Sequence, residues 1–112
     1  MSFTYLASPY THPDPKVREQ RFNAAAEIAA DLMHMGEIVF SPIAHSHPID
    51  LYFNEPESGT FWKRQDEPFL MACSKMAVLM LPGWEESKGI AHEIEVAKTR
   101  GLEIEYISYE YP

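Results

Sequence analysis

Met76-Ala-Val-Leu-Met-Leu81 is six apolar residues in a row, closed at once by Pro82-Gly83. A strand with one wet face alternates apolar and polar residues, so an unbroken run predicts a central parallel strand covered on both faces. Downstream, Ser87 fits an N-cap, a helix follows from Lys88 to about Arg100, and Gly101 supplies its stop. Leu102 to Ile107 reads as a last strand, and the tail with Tyr109 and Tyr111 has no assignment. Upstream, a helix is expected over Phe61 to Ser74. Before it, Ile43 to Thr60 carries His45, His47, Pro48, Pro56 and Gly59 without a period, and only Ile49 to Phe53 fits a helical turn. So long a connection in a small domain is expected to be a lid or specificity loop, with disorder as the alternative.

The first part of the chain repeats the strand and helix alternation. Phe3 to Ala7 is a β-branched and aromatic run ended by Ser8-Pro9-Tyr10, and Glu37 to Phe40 is a second strand ended by Ser41-Pro42. Between them Val17, Arg21, Ala24, Ile28, Leu32 and Met35 recur at spacings of three and four, one face of a long helix from Lys16 that Gly36 stops. Pro13 and Pro15 suit the turn or first helical turn before it. The expected fold is therefore α/β and Rossmann-like (flavodoxin-like). It has a mostly parallel sheet of four to five strands and helices on both faces, in a single domain over residues 1–112. Ligands of such sheets bind beyond the carboxyl ends of the strands, which points to Ser8 to Tyr10, Ser41 to His47 and Pro82 to Gly89.

Composition narrows the partners. With 46% hydrophobic and 23% charged residues the chain is neither disordered nor membrane-spanning, and its start has no signal-peptide pattern. Cys73 is the single cysteine, as expected of a reducing, cytoplasmic setting. Seventeen acids against nine bases give a net charge of −8, which repels nucleic-acid polymers and anionic membranes while leaving room for a small anion on a local basic group.

Several residues break the apolar pattern. On the third helix Ile90, Ile94 and Ala97 form a stripe, with Glu93 about 60° from its centre and His92, Glu95 and Thr99 turned away. A carboxylate on the inward side must be paired, protonated or functional, unless its head reaches solvent. Arg21 lies on the apolar stripe of the first helix near its N-terminus, and Arg18 is about 60° round on the same turn. Either can grip a phosphate there, or snorkel or pair with Glu27 or Asp31. Asp66 follows the loop and is expected near the cleft if its helix takes the usual βαβ path; a pair of carboxyls is the minimum for glycosidic-bond chemistry, but two acids among seventeen prove nothing by themselves. His45 and His47, spaced i,i+2, lack a Cys or acid neighbour to complete a metal site and are read as contacts to ligand or solvent. Leu51, Tyr52, Phe53, Phe61 and Trp62 exceed what a polar loop requires, and can form a base-stacking wall or a subunit contact.

Three segments together, Tyr5-Leu-Ala-Ser-Pro-Tyr10, Asp66 ahead of the apolar strand, and Ser87-Lys-Gly-Ile-Ala-His-Glu93-Ile-Glu-Val-Ala97, resemble the nucleoside 2-deoxyribosyltransferase superfamily. In the Ser87/Glu93 pattern the likeness is to its 2'-deoxynucleoside 5'-monophosphate N-glycosidases. The resemblance implies Glu93 as nucleophile at the anomeric carbon, Tyr5 steadying it, and Asp66 as proton donor or relay to the leaving base. It also implies Ser87, where the nucleoside transferases carry an Asp, as a donor to a 5'-phosphate, with Gly89 in the same turn. Ser8, Tyr10, Arg18, Arg21, His45, His47 and Trp62 complete the expected substrate contacts, and neither cofactor nor metal is called for.

The chain departs from the family's pattern in carrying Glu95 where a Gly is common, Ser8-Pro9-Tyr10 in place of a glycine-rich turn, and acidic Glu85 and Glu86 beside Ser87. The function implied is cleavage, by hydrolysis or base transfer, of the N-glycosidic bond of a (deoxy)nucleoside 5'-monophosphate through a covalent Glu intermediate. Alternatives are a deoxyribosyltransferase acting on unphosphorylated nucleosides, a cytokinin-type phosphoribohydrolase, or a catalytically silent nucleotide-binding module. The resemblance also implies a homodimer or higher homo-oligomer.

Overall fold

The computed structural model describes residues 2–111. In these residues four strands, β1 (Phe3–Ala7), β2 (Ile38–Phe40), β3 (Lys75–Met80) and β4 (Glu103–Ser108), form one parallel sheet in the order β2-β1-β3-β4. The helices are α1 (Pro15–His34), α2 (Pro42–Asp50), α3 (Gly59–Ala72) and α4 (Lys88–Thr99), with a 3-10 turn at Trp84–Glu86. This is the α/β architecture expected from the alternation.

Each face of the sheet has its own core, because successive strand residues point to opposite sides. Leu6, Ala77 and Leu79 pack under α1 through Ala24, Ala29 and Leu32. Tyr5, Ala7, Met76 and Val78 face Leu70 of α3 and Ile90 and Ala97 of α4. The unbroken apolar run is thus consumed by both layers. Leu81, read as its last strand residue, has left the ladder, since its N–H bonds the Leu79 carbonyl, although its side chain stays fully buried.

The segment read as irregular is different in the structure. Pro42–Asp50 is a helix, capped by the Ser41 hydroxyl accepting from the Ala44 N–H at 3.1 Å, with Pro42 at the first helical position. Pro48 lies inside it and removes the N–H that would bond the Ala44 carbonyl, so the helix rests on its cap and on its contacts with α1 and β1. The true connection is residues 51–58, after which the Ser58 hydroxyl accepts from the Phe61 N–H and starts α3 two residues earlier than expected. Asp14 caps α1 with Pro15 following it. Met35, counted on the α1 stripe, is 74% exposed because it is the C-cap residue, beyond the last turn that faces the sheet. The tail is tied back to α1 by the Tyr109 hydroxyl donating to Glu27 Oε2 at 2.8 Å.

Candidate active site

The chain crosses from β2 on one side of β1 to β3 on the other, so the switch point of the sheet lies between the carboxyl ends of β1 and β3. A cleft of about 900 Å³ opens there, lined by Tyr5 and Ser8 from β1 and its loop, by Trp62 and Asp66 of α3, and by Ser87, Gly89 and Glu93 at the start of α4.

Tyr5 is fully buried on the face of β1 that meets α3 and α4, and this strand parity aims its ring under Glu93. Its hydroxyl donates to Glu93 Oε2. Glu93 as a residue keeps partial exposure, but its carboxyl is enclosed, and burial pushes its pKa up to about 7. The Tyr5 hydrogen bond works against that rise, and the charge of Asp66 adds to it. Asp66 is raised to about 6 by burial, and its Oδ1 is buried without a hydrogen-bond partner. The Tyr5 phenol is driven far above its ordinary value by burial first and then by the Glu93 charge, so it stays a proton donor. Two carboxyls, both made hard to ionise by burial, and a phenol thus line one cleft.

At the helix start the Ser87 hydroxyl accepts from the Ile90 N–H at 3.2 Å, leaving its own proton available. Gly89 is bare toward the cleft; a Cβ there would meet nothing nearer than Ser87 Oγ at 3.8 Å. The N–H groups of Lys88 and Gly89 have no partner within a helix. Lys88 and the acidic Glu86 also line the cleft.

Two arginines of α1, Arg18 and Arg21, also line the cleft. Arg18 donates to the His12 carbonyl, and Arg21 bridges two loops, bonding Thr11 O through Nη1 and Pro82 O through Nη2, each at 3.1 Å. Neither meets Glu27 or Asp31. Ser8, 6% exposed, has a buried hydroxyl without a partner. Tyr10 lines the cleft and its hydroxyl is 2.5 Å from His47 Nδ1, while the His47 ring stacks on Phe22 at 4.4 Å. Burial holds the His47 pKa down, so Nδ1 of the neutral ring can accept a hydrogen bond from the Tyr10 hydroxyl.

Two expected contacts fall outside. His47 does not line the cleft and acts on it only through Tyr10; His45 is exposed on another side of α2, against Phe40 and Phe69. Successive i,i+2 positions are about 200° apart on a helix, so once Pro42–Asp50 is helical the two cannot share a ligand. His92, read as turned away, instead lines the cleft, half-buried with Nε2 3.5 Å from Glu67 Oε1, because α3 packs over that side of α4. Sequence reading missed Ser46 and Asp50 on α2; the Ser41-Pro42 start signal was the one clue to the helix that delivers them.

The architecture defines an α/β domain that presents a tyrosine-bound glutamate and a second buried carboxyl at the switch point of a parallel sheet. The chain belongs to the family described as a domain of unknown function, DUF1937, which matches residues 2–109. No curated protein matches it. Among solved structures it is similar to a 2-deoxyribosyltransferase from the psychrotolerant bacterium Bacillus psychrosaccharolyticus. That likeness has a TM-score of 0.68 and covers 96% of this chain and 72% of that one at 20% identity, a likeness of fold. Among the described residues no helix is long and apolar enough to cross a membrane.

Proposed function

We propose that the protein cleaves the N-glycosidic bond of a (deoxy)nucleoside 5'-monophosphate, passing the sugar to water or to a second base. The observation that carries this is the Tyr5 hydroxyl bonded to Glu93 in a cleft that also holds the unpaired Asp66 carboxyl. The fold shared with a 2-deoxyribosyltransferase supports the same chemistry. A carboxylate Oε of Glu93 attacks C1', the C1'–N bond breaks, and its electron pair leaves with the base, which takes the Asp66 proton. Water or an incoming base then attacks C1', gives its proton to Asp66, and releases Glu93 as carboxylate with overall retention. Tyr5 fixes the attacking group, where a 1 Å displacement costs on the order of 100-fold in rate.

In this reading a 5'-phosphate is met by two donor sets. Ser87 and the free N–H groups at the start of α4 form one donor set, and Arg18 another. Arg21 bonds two carbonyls and holds the loops that frame the site, whereas Arg18, bonded to the His12 carbonyl and beside the Tyr10 hydroxyl, keeps further donors for an oxyanion.

The test is incubation with a panel of nucleosides and their 5'-monophosphates, following free base by chromatography. Base release is expected, faster from monophosphates, and Glu93→Gln is expected to lower it by at least about 1,000-fold with the fold retained. Faster reaction of the unphosphorylated nucleosides removes the phosphate assignment. A Glu93→Gln rate within tenfold of wild type removes the nucleophile.

A further inference from the structure

Asp50, the last residue of α2, lies where three segments meet at the cleft. Its Oδ1 accepts from the Trp62 indole Nε1–H at 3.2 Å and from the Glu57 backbone N–H at 3.1 Å, while its own carbonyl accepts from the Phe53 N–H at 3.2 Å. One residue therefore ties the 51–58 connection and the first turn of α3 to α2. Asp50, Pro56, Glu57 and Trp62 all line the cleft. Trp62 precedes Asp66 by four residues on α3, so both side chains project from one face of that helix. Behind the indole, Phe61 packs edge-on at 5.1 Å and Phe53 lies at 6.1 Å, but ring contacts alone leave an indole free to slide. The hydrogen bond to a charged acceptor is the directional part of the set.

We propose that Asp50 is a positioning residue that holds the Trp62 indole as the wall against which the leaving base stacks, and keeps the 51–58 connection folded over that end of the cleft. The inference rests on the N-glycosidic reading above, which puts the base beside Asp66. A wall ordered in this way contributes to ground state and transition state alike, so its loss is read in KM and not in kcat.

The chain has two tryptophans, Trp62 and Trp84, so an amide-nitrogen NMR spectrum shows two indole N–H signals, which Trp62→Phe assigns. Asp50→Ala is expected to move the Trp62 signal upfield and speed its exchange with solvent, without moving that of Trp84. In base release from the best monophosphate of the panel it should raise KM about tenfold and hold kcat within about threefold, roughly the effect of one charge-assisted hydrogen bond. Asp50→Asn keeps an acceptor oxygen without the charge and is expected to recover the larger part of both readouts.

If Asp50→Ala does not fold, Trp62→Phe carries the test: it keeps a ring, deletes the donor, and should raise KM about threefold at unchanged kcat. An unmoved Trp62 signal in Asp50→Ala, an unchanged KM in whichever variant folds, or equal loss in Asp50→Asn overturns the proposal. A wild type that releases no base overturns the N-glycosidic reading and the base wall with it. An active wild type indifferent to Asp50 overturns this inference alone.

Discussion

Glu93 and Asp66 are held by the same burial that makes each hard to ionise, and this sets how the site depends on pH. In the proposed mechanism the productive form carries one proton on the pair, with Glu93 ionised and Asp66 protonated. Glu93 lies at about 7 and Asp66 at about 6, so between those values the resting pair holds its one proton mainly on Glu93, the productive form is reached when that proton passes to Asp66, and the pKa values observed in kinetics belong to the pair. The rate of base release is expected to be bell-shaped with its maximum there. Asp66→Asn should remove the alkaline limb, because no proton is then left on the base side to be lost as pH rises. A wild-type rate that climbs steadily to pH 9 would refute the shared proton.

The same shift has a cost in stability. Glu93 rises from an ordinary 4.5 to about 7 in the folded protein, so the native state binds its proton more tightly than the unfolded chain does. Its contribution is therefore full below the ordinary value and is lost as pH rises through the folded one. Glu93→Gln keeps an acceptor for the Tyr5 hydroxyl and removes the charge. Relative to wild type it should gain little at pH 4.5 and on the order of 3 kcal/mol at pH 8. Urea unfolding at the two pH values measures this, and a difference that does not change with pH would show that the carboxyl is solvated.

At the scale of elements, the loops around the site are joined by Arg21, which links the β1–α1 loop to the turn after β3. Gly83 makes the second connection feasible: its φ is +92°, and a Cβ there would lie 2.9 Å from Arg21 Nη2. Gly83→Ala must pay for a left-handed alanine and displace the guanidinium from Pro82 O, about 2 kcal/mol together. Gly36 has a similar φ of +93° and open space around it, so Gly36→Ala bears only the backbone strain, roughly 1 kcal/mol. Thermal unfolding should separate the two variants by about 5 °C, and equal losses would remove Arg21 as a structural tie.

Which elements the sequence disclosed follows from how each is buried. β3 is enclosed by two layers and α4 has both a cap and a stripe, so composition alone located them, together with Glu93 near the stripe. The helix α2 buries little more than Pro42 and Ser46, and its histidines, prolines and acid leave no apolar period to detect. Its tertiary neighbours α1 and β1, and the Ser41 cap, stabilise it where the pattern does not. Asp50 and Ser46 were illegible for that reason, since residues on an undetected helix cannot be assigned a face. The roles expected of Tyr5 and Asp66 rest on the family resemblance, because a buried tyrosine carries no local mark and position alone put Asp66 only near the cleft.

For the whole molecule, the aromatic and apolar residues before and within α3 divide into two sets. Trp62 faces the cleft and Phe53 and Phe61 pack behind it, whereas Leu51 and Tyr52 are 72% and 90% exposed on the same segment. A site that must strip water from a carboxylate gains from a second copy laid across the open side, and these two residues supply apolar surface beside it. We therefore expect a homo-oligomer, in its simplest form a twofold dimer, with Leu51 and Tyr52 at the contact. The charge of −8 on each copy opposes the pairing, and because that repulsion is screened over about 8 Å at physiological ionic strength, association should tighten as salt is added. Light scattering at micromolar protein is expected to give about twice 12.9 kDa, and the double variant Leu51→Ser, Tyr52→Ser to give the single-chain mass with reduced base release. A wild type of single-chain mass that remains active would place the complete site within one chain and leave Leu51 and Tyr52 as surface residues of the 51–58 connection.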